Sequence, residues 1–311
     1  MKRSQHFAFL FPGQGSQYVG MGQDFYKTFP EVREMFEKGN DCLSLSLSNV
    51  MFFGPEKDLM KTINSQMAIY VLSASIFQVL KKKFSHISPL VCAGLSLGEY
   101  TALFASGKIS YEEGLVLVKE RAKLMDDACE KNVGGMSAVL GIEGEKVEEI
   151  IRPLKNVWAA NFNCPRQVVI SGKKEALSLA ENKLKENGAK KIVPLQVQGA
   201  FHSGLMEEAK EGLQKKIAGI SFTDSTCEMV MNVTGDYVHS IYNIKKNLIE
   251  QMTSSVRWEK GIRAMMKKGV DLFLEIGCGK TLTSMNKKIG AQPTINVEKI
   301  EDLQKIKDFL L

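Results

Sequence analysis

The five residues Gly94-Leu95-Ser96-Leu97-Gly98 constrain this chain more than any other stretch. Before them stands Pro89-Leu90-Val91-Cys92-Ala93, which is short, apolar and suited to a buried strand. After them, Glu99-Tyr100-Thr101-Ala102-Leu103-Phe104 opens a helical segment. A glycine two residues to either side lets the backbone turn sharply from strand to helix, with a serine hydroxyl at the apex. This is the G-x-S-x-G nucleophile-elbow pattern, and it calls for a strand feeding directly into a helix. A plain glycine-rich turn is the other reading of the same five residues.

The rest of the chain supplies matching strands and helices. Phe7 to Phe11 reads as a buried strand opening into the loop Pro12-Gly13-Gln14-Gly15-Ser16-Gln17. Apolar residues keep helical spacing from Ile63 to Leu80, and again from about Tyr111 to Cys129. Further strands are expected at Glu228 to Val233, Leu272 to Ile276 and Thr294 to Val297, with helices at Leu205 to Ile217, twice more before Leu272, and at Leu282 to Lys288. Such alternation implies an α/β fold with a mostly parallel sheet covered on both faces.

Between Gly134 and Val197 the texture differs. Strands at Met136–Leu140, Val157–Ala160, Gln167–Ile170 and Ile192–Val197 enclose helices at Glu145–Leu154 and Lys173–Asn187, the second ending at Gly188. This β-α-β-β-α-β order is the split, ferredoxin-like arrangement. Residues 132–198 are therefore expected to form a small subdomain inserted into a larger unit made of 1–131 and 199–311.

Composition excludes several classes. Lys+Arg 41 against Asp+Glu 35 gives +6, spread over lysine pairs that suit helix C-termini or a basic rim for an acidic partner. No basic run is interleaved with aromatics, so nucleic acid is not expected. The six cysteines are far apart and contain no Cys-x-x-Cys, which argues against a disulfide framework and against a zinc site. Met1 to His6 leads into a first strand too short and wrongly flanked for a signal peptide. No segment is expected to approach the ~20 apolar residues that cross a membrane. A cytoplasmic monomer is the expectation.

A serine needs a base to accept its proton. Of the four histidines, His202 follows apolar Gly199-Ala200-Phe201 and precedes Ser203, a good helix N-cap, so it is favoured over His239; His86 is expected to face solvent. No acid is marked as a third member: Asp126 and Asp127 are placed on the solvent side of their helix, and Asp224 and Asp236 carry no signal. A dyad whose histidine is oriented by a backbone carbonyl is therefore plausible. Two N–H groups could form an oxyanion hole, one from Leu97 and one from the Gly13-Gln14-Gly15 loop. A phosphate loop is the rival for those glycines, although no complete phosphate-binding pattern is present. Arg121 stands at the border of an apolar stripe, where a guanidinium calls for an anion or a structural salt bridge.

Taken together, these residues resemble the malonyl-CoA:acyl-carrier-protein transacylase family over nearly the whole chain. The resemblance rests on Phe11-Pro12-Gly13-Gln14-Gly15-Ser16-Gln17, Gly94 to Tyr100, Arg121, Asn161-Phe162-Asn163, Gln167 to Gly172, Gly199 to Ser203, Gln251, and Glu275-Ile276-Gly277 with Gly279-Lys280. It implies an α/β-hydrolase-like core with the ferredoxin-like insertion. It further implies Ser96 as nucleophile, His202 as base oriented by the Gln251 carbonyl, and an oxyanion hole at the N–H groups of Gln14 and Leu97. Arg121 would grip the malonyl carboxylate, Asn163 and Gln251 would serve substrate binding, and Phe201 would crowd a 2-methyl branch. Malonyl-CoA and an acyl carrier protein are the implied partners, with no metal and no cofactor beyond the CoA thioester substrate. Leu95, Arg166 and Cys278 depart from the family's usual histidine, glycine and proline. A serine esterase or thioesterase, and a non-catalytic carrier-protein or CoA-binding module, are the rival functions.

Overall fold

The computed structural model describes residues 6–310; the lead-in Met1 to Gln5 lies outside them. In chain order the strands are β1 (Phe7–Phe11), β2 (Pro89–Gly94), β3 (Gly134–Leu140), β4 (Val157–Cys164), β5 (Gln167–Lys173), β6 (Lys191–Pro194), β7 (Glu228–Met231), β8 (Asp236–Val238), β9 (Leu272–Ile276) and β10 (Thr294–Val297). They form a six-stranded sheet in the order β10-β9-β1-β2-β7-β8 and a four-stranded sheet in the order β4-β5-β3-β6. The first is parallel throughout except for β8, which turns back antiparallel on β7. The second is wholly antiparallel.

Both faces of the larger sheet are covered, so its central strands are apolar on both sides, as parallel sheets require. Phe9, Phe11 and Cys92 are on the side of the helices Thr62–Lys83 and Gly98–Ala105, while Ala8, Leu10, Val91 and Ala93 face Trp258–Lys267 and Thr281–Ile289. Each fully buried side chain such as Phe11 or Leu72 contributes about 1.5–3 kcal/mol of transfer free energy. Thr62–Lys83 is, by length and composition, apolar enough to cross a membrane, contrary to the expectation that no segment is. Within the fold 89% of its most apolar window is buried against the sheet and its neighbouring helices.

Several local expectations are corrected. The strand expected to run to Val233 stops at Met231, because Gly235 N–H closes a turn on the Met231 carbonyl at 2.8 Å and the chain returns as β8. Strand β6 ends at Pro194: Leu195 N–H makes one last bond to the Met136 carbonyl of β3 at 2.9 Å, and Val197 N–H then turns back onto the Leu195 carbonyl at 3.0 Å. The side chains of Leu195 and Val197 line a cavity there. Strand β4 extends beyond Ala160 to Cys164 with two register shifts; Phe162 N–H donates to the carbonyl of Val256 in the larger unit, and Val256 N–H donates back to the Ala160 carbonyl, at 2.8 Å each. Helices at Gln23–Thr28, Pro30–Leu43, Leu47–Phe53, Glu56–Leu59 and Asp302–Leu310 were not expected from the sequence.

Candidate active site

The elbow comes from glycine sterics first. A Cβ on Gly94 would sit 1.9 Å from the Gly98 carbonyl carbon, and one on Gly98 would sit 2.1 Å from the Phe11 oxygen. Only with both side chains absent can β2 fold straight into the helix Gly98–Ala105. Ser96 at the apex is left-handed, with φ 51°. That conformation costs a non-glycine residue about 1–2 kcal/mol. Hydrogen bonds on both sides of its peptide offset the cost: Ser96 N–H donates to Asn232 Oδ1 at 2.7 Å, and the Ser96 carbonyl accepts from Gln251 Nε2 at 3.0 Å.

His202 arrives from the other side, on the loop that leaves the smaller sheet, and is also left-handed at φ 55°. Ser203 caps the turn that follows, accepting from Leu205 N–H at 3.2 Å. His202 Nε2 lies 2.8 Å from Ser96 Oγ, and Nδ1 lies 2.8 Å from the Gln251 carbonyl oxygen. A carbonyl can only accept, so Nδ1 carries the proton and Nε2 is the free acceptor. Arg121 Nη2 donates to the same Ser96 Oγ at 2.9 Å, so the serine's own proton points at His202. Burial, then the Arg121 charge, lower the His202 pKa to about 4, against the pull of the Gln251 carbonyl. The imidazole is therefore neutral near pH 7, with Nε2 free to accept a proton.

No carboxylate takes the third position. His6, His86 and His239 are exposed, and Asp127, Asp224 and Asp236 are exposed as well. Asp126, expected on the solvent side, is half-buried beside Thr62 and the Ile63 N–H at the start of the helix Thr62–Lys83, and burial raises its carboxyl. Free helix N–H groups attract a carboxylate, and that draws it inward.

The N–H groups of Gln14 and Leu97 have no hydrogen-bond partner among the described residues. Gly13, Gln14 and Ser96 share the wall of one cavity of about 180 Å³, so the glycine loop faces the serine. Asn163 and Phe201 line it too, and the buried Asn163 Oδ1 has no partner. Met125 and Met136 supply much of the apolar wall, and Leu95 lies directly beside the serine on it. A second groove of about 610 Å³, bounded by Trp158, Arg152, Arg257 and Thr253 to Ser255, meets the first at His202. His202 thus lines both spaces, and Ser96 lines the smaller one.

Arg121 is buried to 1% exposure and makes no ion pair among the described residues. Of the two roles left open for it, the structural salt bridge is not formed among the described residues. Its Nη1 donates to Gln66 Oε1 at 2.7 Å, Nη2 also reaches Gln251 Oε1 at 3.1 Å, and the plane lies over the Tyr100 ring at 5.6 Å. The Nε has no hydrogen-bond partner among the described residues, and burial lowers the pKa of the group. The capping box of Ser110 and Glu113 fixes where the helix Tyr111–Lys131 begins, and so which face Arg121 takes.

Gln251 holds the site from behind rather than lining the cavity. Its carbonyl accepts from His202, and its fully buried side chain ties Ser96, Arg121 and Glu99 together. Arg166, which departs from the family's usual glycine, pairs with Glu143 at 2.8 Å and lines a separate hollow. Cys278 lies 3.3 Å from Ser16 Oγ, which in turn donates to the Gly13 carbonyl at 2.8 Å and so supports the loop.

Sequence reasoning missed Gln66, Glu99 and Asn232. Each had a weak signal, being the polar residue within or just after an apolar stretch. Glu99 is fully buried; burial pushes its carboxyl up to about 8, while the Asn232 N–H, the Gln251 amide and the Arg121 charge pull it down. Gln66 links Arg121 to Gln14 across the floor.

The acyl transferase domain family matches residues 8–305. The malonyl CoA-acyl carrier protein transacylase of Bacillus subtilis (strain 168) is 38% identical over 302 residues, 96% of this chain and 95% of that protein. The crystal structure of the malonyl-CoA:acyl carrier protein transacylase from Helicobacter pylori superposes with a TM-score of 0.93 at 34% identity, covering 99% of each chain. A malonyl-transacylase solved in complex with its type II PKS acyl-carrier protein superposes with a TM-score of 0.94 at 34% identity, covering 98% of this chain and 100% of that one. Identity of this extent over the full length, joined to the same fold, makes the chain a member of the malonyl-CoA:acyl-carrier-protein transacylase family.

Proposed function

We propose that this protein transfers the malonyl group from malonyl-CoA to the phosphopantetheine thiol of an acyl carrier protein, through a malonyl-serine. The observation that carries the reading is the junction of Ser96, His202 and Arg121, with Arg121 Nη2 2.9 Å and His202 Nε2 2.8 Å from one hydroxyl oxygen.

In the first half-reaction Ser96 Oγ attacks the thioester carbonyl carbon and His202 Nε2 takes its proton. The oxygen becomes an anion, held by the Gln14 and Leu97 N–H groups. Each such donor is worth about 2.7–4 kcal/mol in a site of this type. The C–S bond breaks, the CoA sulfur takes the proton from His202, and the malonyl ester remains on Ser96. In the second half the carrier thiol gives its proton to His202 and attacks the ester, which returns the proton and the free hydroxyl to Ser96. The Gln251 carbonyl holds the imidazole in one tautomer and stabilises it when charged, the task an acid performs elsewhere. The 180 Å³ cavity suits the acyl group and the larger groove suits the thiol arm, because both open on His202.

Arg121 selects the acyl group. A malonyl carboxylate gives its buried guanidinium an anion, whereas an acetyl group leaves it without one. Leaving one partner of a buried charge pair alone costs about 2–5 kcal/mol. No cofactor beyond the thioester substrate enters these steps.

The test is intact-mass measurement after brief exposure to malonyl-CoA. A malonyl adduct on the parent and none on Ser96→Ala is the expected result. Absence of an adduct on folded parent would favour a binding module. Free malonate formed faster than malonyl carrier protein would instead make it a hydrolase.

A further inference from the structure

Glu99 is a carboxylate in the first turn of an otherwise apolar helix, yet its oxygens go to none of that helix's own N–H groups. Oε1 accepts the backbone N–H of Asn232 at 2.6 Å, and Oε2 accepts Gln251 Nε2 at 2.5 Å. These partners lie 133 and 152 residues away in sequence. They are also the two residues that grip Ser96. Asn232 takes the Ser96 N–H through Oδ1 and anchors its own amide on the Gly94 carbonyl at 2.7 Å. Gln251 takes the Ser96 carbonyl through Nε2.

We propose that Glu99 is a positioning residue for the nucleophile, holding Asn232 and Gln251 so that the two together keep Ser96 in its left-handed turn. The same contact sets the sense of the Gln251 amide. With Nε2 committed to Glu99 and Ser96, Oε1 must face Arg121 Nη2, which it accepts at 3.1 Å. A reversed amide would aim its own donors at the guanidinium. The Gln251 backbone carbonyl, two bonds from the clamped side chain's Cα hub, is the group that orients His202. One buried side chain therefore ties together the turn of the serine, the tautomer of the base and the direction of the acyl-selecting arginine. This inference rests on the acyl-serine reading above.

Glu99→Gln is the informative change. An amide at this position has one acceptor and one NH₂ end, so it must set a donor against either the Asn232 N–H or Gln251 Nε2. Protonation of the native carboxyl does not reproduce this, because a hydroxyl oxygen can still accept. Two rates are read on folded protein well below its melting temperature. The first is labelling of Ser96 by a fluorophosphonate, in which the serine oxygen bonds to phosphorus, fluoride leaves and the proton passes to His202. The second is malonyl transfer from malonyl-CoA to carrier protein.

Glu99→Gln is expected to lower the fluorophosphonate rate and kcat by about tenfold or more, with KM for malonyl-CoA within about threefold of the parent. Glu99→Asp keeps two acceptors one methylene short, and should fall between the two. It also carries the test if Glu99→Gln does not fold. Rates within twofold of the parent in a folded variant, or a loss confined to KM or to melting temperature, would overturn the proposal. A parent labelled by the fluorophosphonate but inert to malonyl-CoA would defeat the acyl-transfer reading, and the labelling rates would still decide the role of Glu99.

Discussion

Arg121 and Ser96 are direct hydrogen-bond partners: Nη2 donates to Oγ at 2.9 Å across the site. A guanidinium can only donate, so this contact turns the serine proton toward His202 and readies the hydroxyl for transfer. It also occupies the edge of Arg121 that an incoming carboxylate would need. On the proposed function, binding of a charged acyl group would exchange an oxygen of the nucleophile for an oxygen of the substrate.

Arg121→Ala should therefore lower kcat/KM for malonyl transfer by roughly 10²-fold or more while raising acetyl transfer relative to the parent. Steady-state kinetics with both CoA thioesters checks this. An unchanged malonyl preference would make Arg121 a structural residue.

The pH profile follows from His202. Its pKa is lowered to about 4 by burial and by the Arg121 charge. Loss of the base on protonation should leave kcat/KM flat from neutrality to about pH 5 and halve it near pH 4. In Arg121→Ala the repelling charge is gone, so the acid limb should move to higher pH. Stability follows the same sign. Below about pH 6.5 the unfolded chain takes up the histidine proton before the folded one does, so the unfolding free energy falls as pH drops toward 4. A limb near 6.5 in the parent would show that burial does not control this imidazole.

Phe201 lines the 180 Å³ cavity beside His202, the one assigned above to the acyl group. Replacing it by serine removes the bulk that would meet a 2-methyl branch. Phe201→Ser should raise the ratio of methylmalonyl to malonyl transfer by roughly tenfold, within the range that one filled or emptied apolar contact commands. Competition between the two thioesters, read by mass on the carrier protein, measures the ratio directly.

Gly98→Ala tests the elbow itself. The added Cβ would stand 2.1 Å from the Phe11 oxygen and 3.0 Å from the Pro12 oxygen, both backbone atoms with no freedom to yield. Destabilisation of about 3 kcal/mol or more is expected, visible as a lowered denaturation midpoint. A parent-like midpoint would mean that the strand can separate from the glycine loop at little cost.

Much of the fold was legible because burial writes a period into the sequence. Strands β1 and β9 lie close to the expected bounds, since each is a short apolar run closed by glycine or proline. The β-α-β-β-α-β order between Gly134 and Pro194 was equally visible. Less was legible where an element is short or amphipathic. The helices between Gln23 and Leu59 pack mainly on one another and on Thr62–Lys83, and their stripes are interrupted by turns. Strand β8 has only three residues, too few to show alternation.

In the site, local pattern and long-range contact divide the labour. The sequence by itself determined the elbow, because two glycines flanking a serine between strand and helix admit few other backbones. It also singled out Arg121 as a charge at the edge of an apolar stripe. Only the tertiary structure decided what those residues touch. Glu99, Asn232 and Gln66 look like ordinary polar residues in one dimension, and become the supports of Ser96 and Arg121 when β2, β7 and the helix Thr62–Lys83 meet. The contact of Ser96 with His202 rather than His239, and of His202 with a carbonyl rather than an aspartate, likewise comes from the tertiary structure. A hydrogen bond spanning more than a hundred residues leaves no periodic trace in the chain. It exists only where folding removes water and requires buried donors and acceptors to find one another.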